Sequence, residues 1–288
     1  MTMSRILKQP LHFILPIFQI CFALSPSLAS GIQIFSPLKP LSVVNYSFQS
    51  QKTNPSVESA EAIVKKSIAA YGGEAKISSL KNATYLYGVE TLGDPNSKPV
   101  QVKTYFKDES LFRSEVRSEK TDAITILNGD NGWVKVGGTT LSLARKSLDP
   151  MKTTMISQLR PELLLLVFQK FRYSGRTEEG DQKLDQVEIS GFIGGEYIRG
   201  RLSFDLETSL IYKYEYEIER ELPKGKGIVQ GEERYVTYRE SDGFKVPVEI
   251  VSKQGTKESR IKISQVNFNT PLDERLFEDP TPSEKPAK

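Results

Sequence analysis

The side chains that most often do chemistry in proteins are scarce here: the chain has one imidazole, His12, and one thiol, Cys21. Both fall in the first 29 residues, which read as an export signal. Arg5 and Lys8 give a basic start, an apolar stretch runs from Phe13 to Leu24, and Ser27-Leu28-Ala29 places small residues where signal peptidase cuts. Retention as a membrane anchor is disfavoured. Pro16 and Gln19 interrupt the stretch, which is shorter than the roughly 20 apolar residues a spanning helix needs. Lipidation at Cys21 is not expected either, since the bulky Phe18-Gln19-Ile20 precedes it. A chain cut after Ala29 has neither imidazole nor thiol. It can build no Ser-His-Asp triad, no cysteine nucleophile, no histidine-ligated zinc site and no disulfide.

Chemistry by carboxylates or lysines alone stays open at that point. Yet the acidic residues alternate with Lys and Arg as on a solvated sheet face, and no pair stands out as acid and base. Gly137-Gly138 and Gly194-Gly195 lie between strand patterns and read as hairpin turns; no phosphate loop, dinucleotide fingerprint or nucleophile elbow is present. The formal charge of +3 falls to +1 without the leader's two basic residues, which gives no electrostatic case for nucleic acid. No catalysis, no cofactor and no metal are expected.

What the spacing does offer is apolar and aromatic surface. Tyr212, Tyr214 and Tyr216 alternate with Lys213, Glu215 and Glu217, which lays three phenols along one strand face. Any one such residue is ordinarily core. Collectively they suggest more, because a curved sheet with few helices has more concave apolar surface than its own chain easily fills, and such folds hold ligands. The candidate pocket has Tyr85, Tyr87, Val102, Phe106, Phe112, Trp133, Tyr212 and Tyr214 on the sheet. Met151, Met155, Leu163 and Leu166 lie above it as an adaptable lid. Acyl chains are fitting guests, since each buried methylene gains about 0.8 kcal/mol.

The elements that must position these residues can be read in order. Residues 30–57, rich in Ser, Gln and Pro, form a flexible arm. A helix follows: Ser56 can cap it, Glu58 and Glu61 suit its first turn, and Ala60, Ile63, Val64, Ile68 and Tyr71 share a face before Gly72-Gly73 stops it. From Ala83 the period becomes two, and Asn131-Gly132 predicts a hairpin turn. Between Ser147 and Arg172 the spacing turns helical, through Met151, Met155, Ile156 and Leu159, then from Pro161 through Leu163–Val167 to Phe171. Strand signals then resume, with Pro247 marking an edge or a bulge. About ten or eleven strands without strand–helix alternation predict a mainly β (α+β) fold. The expected architecture is a strongly curved antiparallel sheet or open half-barrel, with an N-terminal helix and a helical lid around residues 148–172. It spans residues 58–280, and the Pro- and Lys-rich tail 281–288 is expected to be disordered.

Five stretches then carry a family resemblance: Ala70-Tyr71-Gly72-Gly73-Glu74 with Leu80; Asn131-Gly132-Trp133; Phe204-Asp205-Leu206-Glu207-Thr208; Tyr238 through Pro247; and Asn269 through Phe277. Their order resembles the outer-membrane lipoprotein-sorting (LolA/LolB-like) superfamily. The resemblance implies a bent antiparallel sheet closed by helices around an apolar cavity. Members carry the acyl chains of lipoproteins through the periplasm or receive them at the outer membrane, and a related group senses envelope stress. It therefore implies a periplasmic, monomeric carrier of lipid or lipoprotein acyl chains that touches a membrane transiently. The alternative is an envelope-stress sensor or protein-interaction module that binds envelope proteins. The long arm departs from the carriers, and no match is found for the arginine that latches their lid.

Overall fold

In the computed structural model, which describes residues 59–281 apart from 108–109, 120–121, 145–147, 149–154, 156, 194–195 and 223–224, the first element is helix α1 (Ala60–Ala70). Its cap is Ser59, whose side chain accepts from the Ala62 amide at 3.2 Å, three residues after the predicted Ser56. Ser56, the arm and the signal lie outside the described residues, as do residues 282–288. The helix stops at Gly72-Gly73, both at positive φ; a Cβ on Gly72 would sit 2.9 Å from the Gly243 carbonyl, so a side chain there would push backbone aside. A short α2 (Glu74–Ser78) buries Ile77.

The rest is one antiparallel sheet of thirteen strands. Six come early: β1 (Asn82–Thr91), β2 (Val100–Lys107), β3 (Leu111–Arg117), β4 (Asp122–Asn128), β5 (Asn131–Val136) and β6 (Thr139–Ser142). Seven come late: β7 (Lys170–Glu179), β8 (Gln182–Ile193), β9 (Glu196–Asp205), β10 (Ile211–Leu222), β11 (Gly225–Ser241), β12 (Phe244–Gln254) and β13 (Lys257–Phe268). The order across the sheet is β6-β5-β4-β3-β2-β1-β13-β12-β11-β10-β9-β8-β7. First and last strands pair at the centre, Ala83 opposite Phe268, which joins an early arm (β1–β6) to a late arm (β7–β13). The sheet stays open, a half-barrel.

This is more strands than the ten or eleven predicted. Phe171, expected in a helix, lies in β7, an edge strand whose charged Lys170, Arg172, Arg176, Glu178 and Glu179 obscure any alternation; such charges also protect a free edge. The β4–β5 turn is displaced too. Asn128 pairs with Asn131, so the turn is Gly129-Asp130, with positive φ at Gly129, while Asn131-Gly132 begins the next strand. Gly132 is small for a different reason: a Cβ there would meet Leu148 Cδ2 at 2.6 Å. At Asp242-Gly243 both turn residues have positive φ, the type I′ requirement. Pro247 sits in an interior strand beside a register shift and before β12–β13 pairing begins at Glu249, so a bulge and not an edge accommodates it.

The two free edges, β6 and β7, are consecutive in the chain. Direct pairing between them would close a barrel. Instead residues 143–169 run from one edge to the other, and their described apolar residues Leu159, Leu164, Leu165 and Phe168 pack into the main core with α1. Both helices and the crossover therefore cover one face, here called the inner face.

Candidate functional site

On the inner face, period-two alternation delivers Tyr85, Tyr87 and Val89 from β1 and Val102 from β2, all at most 5% exposed. Val187, Ile198, Leu202 and Tyr214 come from the late arm, and Ile63 and Val64 of α1 close over them. The crossover adds a 3₁₀ turn (Pro161–Leu163), started by Pro161, and a single turn, α3 (Leu164–Val167).

The predicted pocket residues divide. Tyr85, Tyr87, Val102 and Tyr214 belong to the main inner core, with Phe106 and Leu163 partly buried against it. Phe112 heads an adjoining cluster with Leu127 and Leu148, against which Met155 packs. Leu166 points outward, 38% exposed. Met151 lies outside the described residues. Trp133 is on the opposite, outer face: it pairs with Ile126, and both pack with Tyr105 under Phe277 of a C-terminal 3₁₀ turn (Glu274–Phe277). The predicted row of three phenols also breaks. A bulge between Ile211 and Lys213 gives the core position to Ile211, and Tyr212 instead donates weakly to Glu179 Oε1 at 3.5 Å.

The inner face is less apolar than the sequence pattern suggests, and its polar groups differ between arms. In the late arm, Tyr71 and Tyr238 hydroxyls bond at 2.8 Å, Tyr238 Oη donates to the Ile211 carbonyl at 2.7 Å, and the Ile211 amide donates to Tyr71 Oη at 3.4 Å. Tyr235 Oη donates to the Ser157 carbonyl of the crossover. Glu233, 1% exposed and opposite Tyr214 on the inner side, accepts from Ser252 Oγ at 3.0 Å and from Gln158 Nε2 at 3.3 Å. Burial raises its pKa to about 8, with those two hydrogen bonds pulling it back in part, so it is mostly protonated at neutral pH. The crossover is thus tied to the late arm by directed hydrogen bonds. In the early arm the inner face carries a cross-strand ladder of small hydroxyls, Thr104, Ser114 and Thr125, all at most 3% exposed. Tyr87 and Thr104 hydroxyls bond at 3.1 Å, while Ser114 Oγ has no protein partner among the described residues.

Glu233, Gln158 and the crossover ion pair Arg160–Glu162 escaped the sequence reading. For Glu233 a signal existed: it shares inward parity with Tyr235, and a carboxylate at an inward position breaks the alternation. Among the described residues no group of three or more His, Cys, Asp or Glu is arranged to hold a metal ion, and no helix is long and apolar enough to cross a membrane.

The inner face is not an empty hollow. The sequence reading expects apolar surface that the chain's own side chains leave unfilled; in the structure the crossover's leucines and Phe168, together with α1, occupy it. One cleft at its rim, lined by Tyr71, Tyr85, Arg160, Glu162, Lys245 and Phe268 among others, keeps about 10 Å³ of free space, room for about one water.

No protein-family model matches the sequence, and no curated protein matches it. Solved structures that share its architecture include two with similar overall scores. A LolA superfamily protein from Nitrosomonas europaea superposes with a TM-score of 0.50 at 11% identity, over 77% of this chain and 99% of that one. A DUF1329 family protein from Desulfovibrio piger gives 0.51 at 11% identity, over 77% and 98%. At such identity the likeness concerns the fold.

Proposed function

We propose that this LolA-like half-barrel is a periplasmic carrier that holds acyl chains of a lipid or lipoprotein against its inner face and catalyses nothing. One observation supports this above the others. The crossover that joins the two free edges is also the cover of the apolar face, so lifting it exposes that face without breaking a single strand pairing. A guest chain then replaces Leu159, Leu164, Leu165 and Phe168 with equivalent apolar contact, and the closed, self-filled form is the resting state. Fold-level likeness points the same way, although fold alone does not fix function. The polar groups found on the inner face are buried, some bonded to one another and some, such as Ser114 and Tyr85, without a partner among the described residues; they suit binding and include no evident acid–base pair for turnover.

Export followed by mass spectrometry of the purified protein tests the reading. The expected result is co-purified lipid, released by organic extraction, together with uptake of a fluorescent fatty acid. Protein that repeatedly carries no lipid and takes up no probe overturns it. A second reading, a module holding a protein partner, draws on the free edge of β7, whose outer backbone groups pair with no strand among the described residues and could accept an added strand. A partner captured from envelope extract that disappears when β7 is blocked, with no lipid bound, favours that reading.

A further inference from the structure

The rim cleft carries more than its size suggests. Its walls are apolar, including Leu159, Phe244 and Phe268. Polar groups line it too, and Tyr71, Arg160, Glu162 and Lys245 each have a partner. Tyr85 is fully buried, yet its hydroxyl has no hydrogen-bond partner among the described residues. Burial pushes its pKa well above the ordinary tyrosine value, so it stays a neutral donor throughout the physiological range. Arg160 and Glu162 both stand within electrostatic reach of that hydroxyl, their side chains 11% and 8% exposed, and Arg160 Nε donates to Glu162, so the pair is close to neutral there. Lys245, at the lip, is 41% exposed and paired with Glu240 at 3.2 Å. A buried donor without an acceptor, among largely apolar neighbours, has the character of a seat for one oxygen atom at the end of a greasy molecule.

We infer that this cleft seats the carbonyl end of an acyl chain, its oxygen accepting from Tyr85 Oη while the chain runs inward beneath the crossover. The inference rests on the carrier reading and adds a head site to it. The shared chemistry, an acyl carbonyl oxygen, can belong to a free fatty acid or to an ester, and the free space fits an atom of that size and not a whole phosphate.

Tyr85→Phe is the sharpest probe, because it removes only an unpartnered hydroxyl and leaves the ring in the core. Its melting temperature is expected to equal or exceed that of the parent chain. Calorimetric titrations of the full chain and of Y85F with palmitate, with a diacyl phosphatidylglycerol and with hexadecane then separate the possibilities. The expected result is a loss of about fivefold in palmitate affinity, the weight of one ordinary hydrogen bond, that exceeds any change for hexadecane. A parallel loss for the diacyl lipid extends the seat to ester carbonyls; a loss for palmitate alone assigns it to free carboxylates. If the parent chain binds all three and Y85F loses no more palmitate than hexadecane affinity, the head site is overturned and the carrier stands. If nothing binds, both fall.

Discussion

The two arms of the half-barrel hold the same cover by different physics. Against the late arm the cover is fastened by directed bonds: Tyr235 to the Ser157 carbonyl, Glu233 and Ser252 to Gln158, and Phe168 set at 6.3 Å from the Tyr214 ring. Against the early arm the contacts among described residues are apolar and adaptable, Leu148 and Met155 on Phe112 and Leu127, beside a ladder of hydroxyls that no described crossover residue engages. Directed hydrogen bonds fix one geometry, whereas methionine and leucine on a flat apolar patch tolerate many. A guest that enters under the cover should therefore displace it from the early arm and leave the late arm as the hinge.

The largest test of that contrast compares Phe168→Ala with Met155→Ala. Phe168 is 4% exposed within the main core, so its truncation leaves a cavity and is expected to cost about 3–5 kcal/mol of unfolding free energy in urea. Met155 is only partly buried, and its loss should cost about 1–2 kcal/mol. Equal costs would erase the distinction between a fixed and a loose side.

A middle-sized effect is expected from Glu233. An ordinary glutamate titrates near 4.5, as it does in the unfolded chain, and the folded protein raises this to about 8 by burial. Between those values the folded state holds a proton that the unfolded state has lost. Stability from this group is thus complete below about pH 4.5, declines as pH rises through the interval, and levels off above about 8. The decline amounts to a few kcal/mol. Glu233→Gln cannot ionise, so the difference in stability between the two proteins should shift in its favour from pH 5 to pH 8. Urea unfolding at both values reads this directly; a constant difference would mean that Glu233 is solvated and the late-arm fastening is not buried. No ionisable side chain stands in the Thr104–Ser114–Thr125 ladder, so the early arm contributes no matching slope.

How far these features were legible in the sequence follows from what each depends on. Alternation such as Tyr85-Leu86-Tyr87 reports burial on one face, so strands, sheet class and inward residues of β1 and β2 could be read locally. Trp133 could not be assigned a face, because the adjacent turn slipped to Gly129-Asp130 and the apolar cover of the outer face comes from Phe277, far along the chain. Tyr212 follows the alternation perfectly and is displaced by a bulge that leaves no trace in residue types. The crossover was visible as a break in period, but its reach from edge to edge depends on which strands are outermost, and that is set by the pairing of β1 with β13 across more than half the chain. Glu233 was missed for a related reason: its donors, Gln158 and Ser252, come from two other elements.

The smallest expected effect is the most discriminating for the early arm. Ser114 is 1% exposed on the inner face, between Thr104 and Thr125, and its Oγ finds no partner among the described residues. A buried hydroxyl that makes no hydrogen bond has lost its hydration without replacement, a deficit of about 1–3 kcal/mol that removal of the oxygen should recover in part. The alanine leaves only a small void where the oxygen was, and the two terms nearly offset. Ser114→Ala is therefore expected to change unfolding free energy by about 0.5 kcal/mol or less, with any net change towards stability. By contrast, if crossover residues or ordered water bond this hydroxyl in the resting protein, the same substitution destabilises by about 1 kcal/mol. The early arm would then be fastened as firmly as the late one, and the hinge could not be assigned to either side.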